Sequence, residues 1–180
     1  MHRQVLLTLL DRYEPWDLNE ARMYLATKEF VRAQPRCFER SLAEGHVTGS
    51  AWIVSPDRTQ VLLMHHRKLD RWFQPGGHCD GDSDVRRVAL KEAEEETGVQ
   101  NPRVVGDGIF DVDVHLIPAN AKEAAHYHYD IRFLLEVDPK VPVVQNPEAK
   151  EVRWVPLAEV ARYNDSESIL RMARKLHPTA

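Results

Sequence analysis

Between Gly76 and Val99 the chain reads GGHCDGDSDVRRVALKEAEEETGV: a glycine pair, a short polar stretch and a helix-forming run closed by Gly98. No other stretch limits the fold and its chemistry as tightly. The spacing predicts a helix over 84–97, with Gly98 as its C-terminal cap. Glu92, Glu95 and Glu96 stand at i, i+3 and i+4 and fall within an arc of roughly 100° on one helix face. Carboxylates held that close repel one another and raise each other's pKa. A cation among them removes that cost, and hard oxygen donors favour Mg²⁺ or Mn²⁺ over zinc. Glu94 points to the opposite side and is expected to be an ordinary solvated residue.

The surroundings of this helix read as an α/β chain. Over 1–45 the pattern is helical: Asp17 with Glu20 resembles a capping box, and Leu18, Ala21, Leu25 and Ala26 recur at helical spacing up to the stop before Pro35. Gly45 closes this stretch. From His46 the pattern turns to strands, with 47–54 and 61–65 forming a hairpin about the turn cluster Ser55-Pro56-Asp57-Arg58. After the carboxylate helix, 104–116 and 127–137 alternate as strands, Trp154-Val155-Pro156 ends a short strand, and helices follow over 157–163 and 166–176. Strands around a central helix predict a mixed-sheet α/β sandwich rather than a doubly wound parallel fold.

Net charge at pH 7 is −4, which gives no general pull toward nucleic acid or anionic membranes. The basic cluster His65-His66-Arg67-Lys68 with Arg71 is therefore a local feature and is better read as a site. Cys37 and Cys79 form neither a disulfide framework nor a CxxC zinc pattern. The apolar run Val5-Leu6-Leu7 with Leu9-Leu10 is too short for a membrane span and lacks a signal-peptide cleavage site. A cytoplasmic protein with no membrane or nucleic-acid partner is expected.

At the carboxylate helix the sequence resembles a known family. The segment is similar to the Nudix signature, Gly-x5-Glu-x7-Arg-Glu-U-x-Glu-Glu-x-Gly-U with U aliphatic, through Gly77, Glu92, Ala93, Glu95, Glu96, Gly98 and Val99. Two positions depart from it: Ser83 stands for the first Glu and Lys91 for the Arg. The resemblance implies a Nudix-type α/β/α sandwich over 46–180, MutT-like in class, with 1–45 as an N-terminal helical extension outside the family pattern. It also implies a Mg²⁺- (or Mn²⁺-) dependent hydrolase that cleaves the pyrophosphate bond of a nucleoside diphosphate linked to another moiety, or of another organic pyrophosphate. Glu92, Glu95, Glu96 and the Gly77 carbonyl would hold metal; the base would be Glu92 or, as in some members, a residue of a later loop, and Lys91 would orient Glu92. Lys91 supplies charge but not the bidentate fork of an arginine. Asp84, seven residues before Lys91, is a candidate substitute for the missing Glu.

Further candidates lie outside the signature. Arg67, Lys68 or Arg71 could face substrate phosphates, while Trp72 and Phe73 are expected to pack. Asp111, Asp113 and His115 share one strand face, as do His126, His128, Asp130 and Arg132. Solvent exposure is the simplest account of this polar hairpin face. The alternative is a substrate- or metal-facing role for His126, His128 or Asp130, zinc included. The N-terminal helices are expected to pack on the core, with a homodimer interface as the second reading. Two other functions compete with hydrolysis. One is a catalytically weak Nudix-like nucleotide-binding or regulatory module. The other is an isopentenyl-diphosphate-isomerase-like enzyme using Cys79, although in that family the Cys precedes the Gly-His pair rather than following it.

Overall fold

The computed structural model describes residues 2–121 and 123–176. In chain order the elements are α1 (Gln4–Asp11), α2 (Leu18–Ala33), β1 (Gly45–Val54), β2 (Gln60–His66), β3 (Arg71–Phe73), β4 (Gly76–His78), α3 (Val85–Thr97), β5 (Arg103–Val104), β6 (Asp111–Ile117), β7 (His126–Glu136), β8 (Ala149–Pro156), a 3₁₀ turn (Leu157–Glu159), α4 (Val160–Tyr163) and α5 (Glu167–Leu176). The strands form one mixed sheet in the order β3-β2-β1-β7-β5, with β4 on β1, β6 on β7 and β8 on β2. The α/β class expected from the sequence is the class observed. Among the described residues no helix is long and apolar enough to cross a membrane.

Contacts divide the chain into two compact units, and β1, β7 and α3 each contribute to both. The first comprises Met1–Ser50, Gly77–Ala89 and Asp107–Phe133. Here α2 starts as the sequence predicts, with the Asp17 side chain accepting from the Glu20 N–H at 2.7 Å. Glu20 itself does not complete a capping box. Fully buried, its carboxylate accepts from the backbone N–H of Trp16 (2.7 Å) and of Val112 on β6 (3.0 Å), and from the Tyr13 hydroxyl. It thereby ties the N-terminal helix to a strand far along the chain. The Phe30 ring stacks on Tyr129 of β7 at 4.0 Å between centroids, and Leu6, Leu10 and Val31 are buried. The helices thus pack on the core. Gly49 marks the close approach of β1 to the start of α3, where a Cβ would lie 2.8 Å from the Val85 carbonyl oxygen.

β6 and β7 pair antiparallel and keep the faces the alternation predicts, with Asp111 opposite Arg132, Asp113 opposite Asp130 and His115 opposite His128. The expected exposure of that polar face holds at His115 and is overturned for most of the rest. Asp111, Asp113, His126, Asp130 and Arg132 are all buried, whereas Leu116 and Tyr127 on the other face are exposed. The reason is β1, whose His46, Thr48 and Ser50 lie on one side of the strand and give this face polar partners.

The second unit comprises Ala51–Gly76, Leu90–Gly106 and Leu134–Ala180. β1 pairs with β2 (Ile53 opposite Leu62), and β2 pairs with β3 and with β8 along its length. Val61, Leu62 and Leu63 are fully buried between these partners. α3 ends as predicted, with Gly98 at φ +70° donating to the Glu94 carbonyl at 2.9 Å. The continuous strand expected over 104–116 is broken over 105–110, where Gly106 at φ +77° leaves the extended region. Two short strands, β3 and β4, occupy stretches read as loop and glycine turn. Three residues each give too little alternation to be recognised.

Candidate functional site

α3 carries the acidic face. Its N-terminus is capped by Asp84, whose carboxylate accepts from the Arg87 N–H at 3.1 Å, so this side chain serves the helix end. Towards the other end, Glu92 is half-buried, Glu95 is exposed, Glu96 is only 7% exposed, and Glu94 is solvated as expected. Lys91 Nζ lies 3.3 Å from Glu95 and 3.8 Å from Glu92, a point charge shared between two carboxylates. Glu96 is fixed by the Gly76 backbone N–H, which donates to its Oε2 at 2.9 Å.

Burial raises the Glu96 pKa to about 7; the Gly76 hydrogen bond works against this, and the charges of Glu92, Glu148 and Glu95 add to the rise. A buried carboxyl on the edge of ionisation, among other carboxylates, is a set of hard oxygen donors short of positive charge. Such a set fits a divalent cation.

Glu148 was not anticipated. It sits in the loop before β8, and its charge reaches both Glu96 and His66. Arg67 holds that loop. Its backbone N–H donates to the Glu148 carbonyl (2.8 Å) and its guanidinium to the carbonyls of Pro147 (3.0 Å) and Ala149 (2.9 Å). Arg71 lies 3.4 Å from Asn164 and Asp165, and Lys68 is exposed. Trp72 packs between His65 and Tyr163.

The remaining candidates belong to the first unit. Gly77 lies on β4. Asp130 accepts from the hydroxyls of Thr48 (2.9 Å) and Ser50 (2.7 Å) and from Arg132 (2.7 Å), so it is engaged within the core. His126 and His128 approach each other at 3.3 Å between Nε2 atoms. Cys79 is buried, and burial pushes its thiol far above the usual range, which leaves it protonated and a poor nucleophile.

Residues 45–176 match the NUDIX domain family, and the chain belongs to it. A CMP-5'-(N-acetyl-N-hydroxy-3-aminopropyl)phosphonate hydrolase of Streptomyces rubellomurinus is 34% identical over 126 residues, covering 63% of this chain and 53% of that protein. The chain spans about half the length of the curated relatives it matches. Among solved structures, an Ap4A hydrolase binary complex from C. elegans superposes with a TM-score of 0.59 at 18% identity, covering 73% of this chain and 95% of that one. An E. coli dihydroneopterin triphosphate pyrophosphohydrolase gives 0.58 at 16%, covering 74% and 96%. Identities this low carry the fold alone.

The raised pKa of Glu96 has a measurable consequence in metal-free protein. The unfolded chain releases this proton near the ordinary value of 4.5 and the folded chain near 7, so between those values folding takes up a proton. Stability in EDTA is expected to fall as pH rises through that window, by up to about 3 kcal/mol, and to level off above it. Glu96→Gln keeps the acceptor for Gly76 and removes the titration, so its excess stability over wild type should be near zero at pH 4.5 and largest at pH 8. Urea unfolding of both proteins at the two pH values decides. A difference that does not change with pH would rule out a buried Glu96 carboxylate as its source.

Proposed function

We propose that the protein is a divalent-cation-dependent pyrophosphohydrolase acting on a nucleoside diphosphate linked to another moiety, with Mg²⁺ or Mn²⁺ as the cation. The observation that carries this reading is the acidic face of α3, with Glu96 buried, held by Gly76 N–H and poised near neutrality. Glu92, Glu95 and Glu96, with the Gly77 carbonyl, would hold the cation. When bound, such a cation offsets pyrophosphate charge and lowers the pKa of an attacking water. The chain's own part is proton transfer and positioning. Glu92 accepts the water proton as the new P–O bond forms and the bridging P–O bond breaks, giving a monophosphate and a phosphorylated partner. Lys91 lies between Glu92 and Glu95 and holds them close. Arg67 acts through the loop it clamps, holding Glu148 near the acidic face.

The hydrolase name of the Streptomyces relative, which specifies a CMP conjugate, supports a nucleotide joined to a second group. Residues 46–180 are taken as the catalytic domain and 1–45 as an extension that supports β6 and β7. Two free, buried cysteines suit the reducing cytoplasm.

A panel of nucleotide sugars, dinucleoside polyphosphates, other CMP conjugates and nucleoside triphosphates, each with and without Mg²⁺, tests the reading. Cation-dependent release of a monophosphate from at least one conjugate is expected. Binding of the same compounds with no turnover would overturn it in favour of a regulatory binding module, the reading that Ser83 and Lys91 favour.

A further inference from the structure

Five histidines converge in the first unit, and the acidic face of α3 has no use for them. His46 on β1, His78 on β4 and His128 on β7 each present a ring nitrogen, and these three nitrogens lie within 4.8 Å of one another. The His46 ring is 4.9 Å from that of His78 and 4.7 Å from that of His128 between centroids. His126 closes one side, its ring 5.0 Å from His46, and His115 flanks His128.

His46 makes the cluster chemically conspicuous. It is 1% exposed, and neither ring nitrogen has a hydrogen-bond partner among the described residues. A neutral imidazole always carries one donor and one acceptor, and leaving a buried polar atom unmatched costs about 1–3 kcal/mol. Packing alone offers no reason to place a histidine there rather than an apolar residue. A cation accepting the lone pair does.

From these residues we propose that His46, His78 and His128 form a binding site for a transition-metal dication of the zinc class, separate in composition from the carboxylate set on α3. The donor chemistry selects the ion: three imidazoles and no carboxylate suit Zn²⁺, Co²⁺ or Ni²⁺ and not Mg²⁺. The dimensions agree. Zn–N bonds of about 2.0–2.1 Å in tetrahedral geometry place ligand nitrogens about 3.3 Å apart, so the three nitrogens, within 4.8 Å of one another, would draw together on binding. His126 supplies orientation. Its Nδ1 lies 2.9 Å from the Ala124 carbonyl oxygen, which can only accept, so that nitrogen carries the proton. Its Nε2 is then the lone-pair side, turned towards His128, and steadies that ring as outer-shell partners of metal-binding histidines do. Three protein ligands leave a fourth position for water.

Tag-free protein, stripped with EDTA and titrated with Co²⁺ in excess Mg²⁺, tests the site. The visible d–d absorption of four-coordinate cobalt should rise to one ion per chain, be displaced by Zn²⁺, and persist in Glu95→Gln. It should be lost in His46→Asn and His128→Asn. Should the more buried of these fail to fold, the half-exposed His78→Asn carries the same prediction. No tetrahedral band in wild type, or a band unchanged in the folded histidine variants, overturns the proposal. A band lost in Glu95→Gln but not in the histidine variants would assign the ion to α3 and overturn it equally.

Discussion

Glu95→Gln is expected to lower cation-dependent hydrolysis by on the order of 10²–10⁴-fold while leaving metal-free stability within about 0.5 kcal/mol of wild type. Glu95 is exposed and its neighbour in the structure is Lys91, so the fold loses little. The substitution preserves shape and removes one formal charge and one hard anionic donor from the face. A hundredfold effect corresponds to about 2.7 kcal/mol of transition-state stabilisation, the scale of one displaced or missing electrostatic group in a water-poor site. Glu94→Gln makes the same charge change one residue away on the opposite, solvated side of α3, and should leave the rate unchanged. Steady-state rates of both variants on the best substrate from the panel, over a range of Mg²⁺ concentrations, make the comparison. Equal losses in the two variants would mean that net charge, not the geometry of one face, governs activity, and the acidic face would lose its role.

That face was legible from sequence because everything defining it is local. The 3.6-residue period sets the carboxylates together, and Gly98 ends the helix whatever packs against it. The two faces of β6 and β7 are legible for a similar reason, since alternation over a few residues determines which side chains share a side; which residues stand opposite is not. What escaped depends on distant partners. The polar hairpin face reads as solvated until Thr48 and Ser50, about eighty residues earlier, are seen to donate to Asp130. The run His46, Thr48, Ser50 at alternate positions of one strand was the available sign, a polar edge within a stretch otherwise fit for burial. Glu20 looked like half of a capping box, and its second task, binding the Val112 N–H, lies across the fold. Arg67 is one of three cations that the sequence offers for substrate phosphates, and its contacts with the carbonyls of a loop without a sequence signature are visible only in the structure.

Arg132→Met should be the most damaging single change to stability. Arg132 is buried and sits 3.1 Å from Asp111, 3.3 Å from Asp113 and 2.7 Å from Asp130, each of them buried too. Burial works against its charge, yet the three carboxylates together hold the guanidinium cationic far above its usual range. The Thr48 and Ser50 hydroxyls donate to the other Asp130 oxygen, and the His115 ring lies 3.0 Å from the same Asp113 oxygen that Arg132 meets. Methionine fills the volume but takes the guanidinium away from three buried carboxylates, and breaking a buried pair in this way costs about 3–5 kcal/mol, a large share of ordinary domain stability. The variant should therefore take up protons on folding, so its stability, measured by urea unfolding, should recover as pH falls from 8 to 5. Adding Asp111→Asn removes one of the stranded charges. The double variant should be more stable than Arg132→Met alone, although Asp111→Asn by itself destabilises the wild type. That reversal of sign is what charge pairing requires and what simple loss of packing would not produce. If the two changes add to within about 0.5 kcal/mol, the network is held by shape rather than by charge. Because Asp130 and His128 share one face of β7, the same variant should also lose the cobalt signal, through displacement of the histidine rather than loss of a ligand.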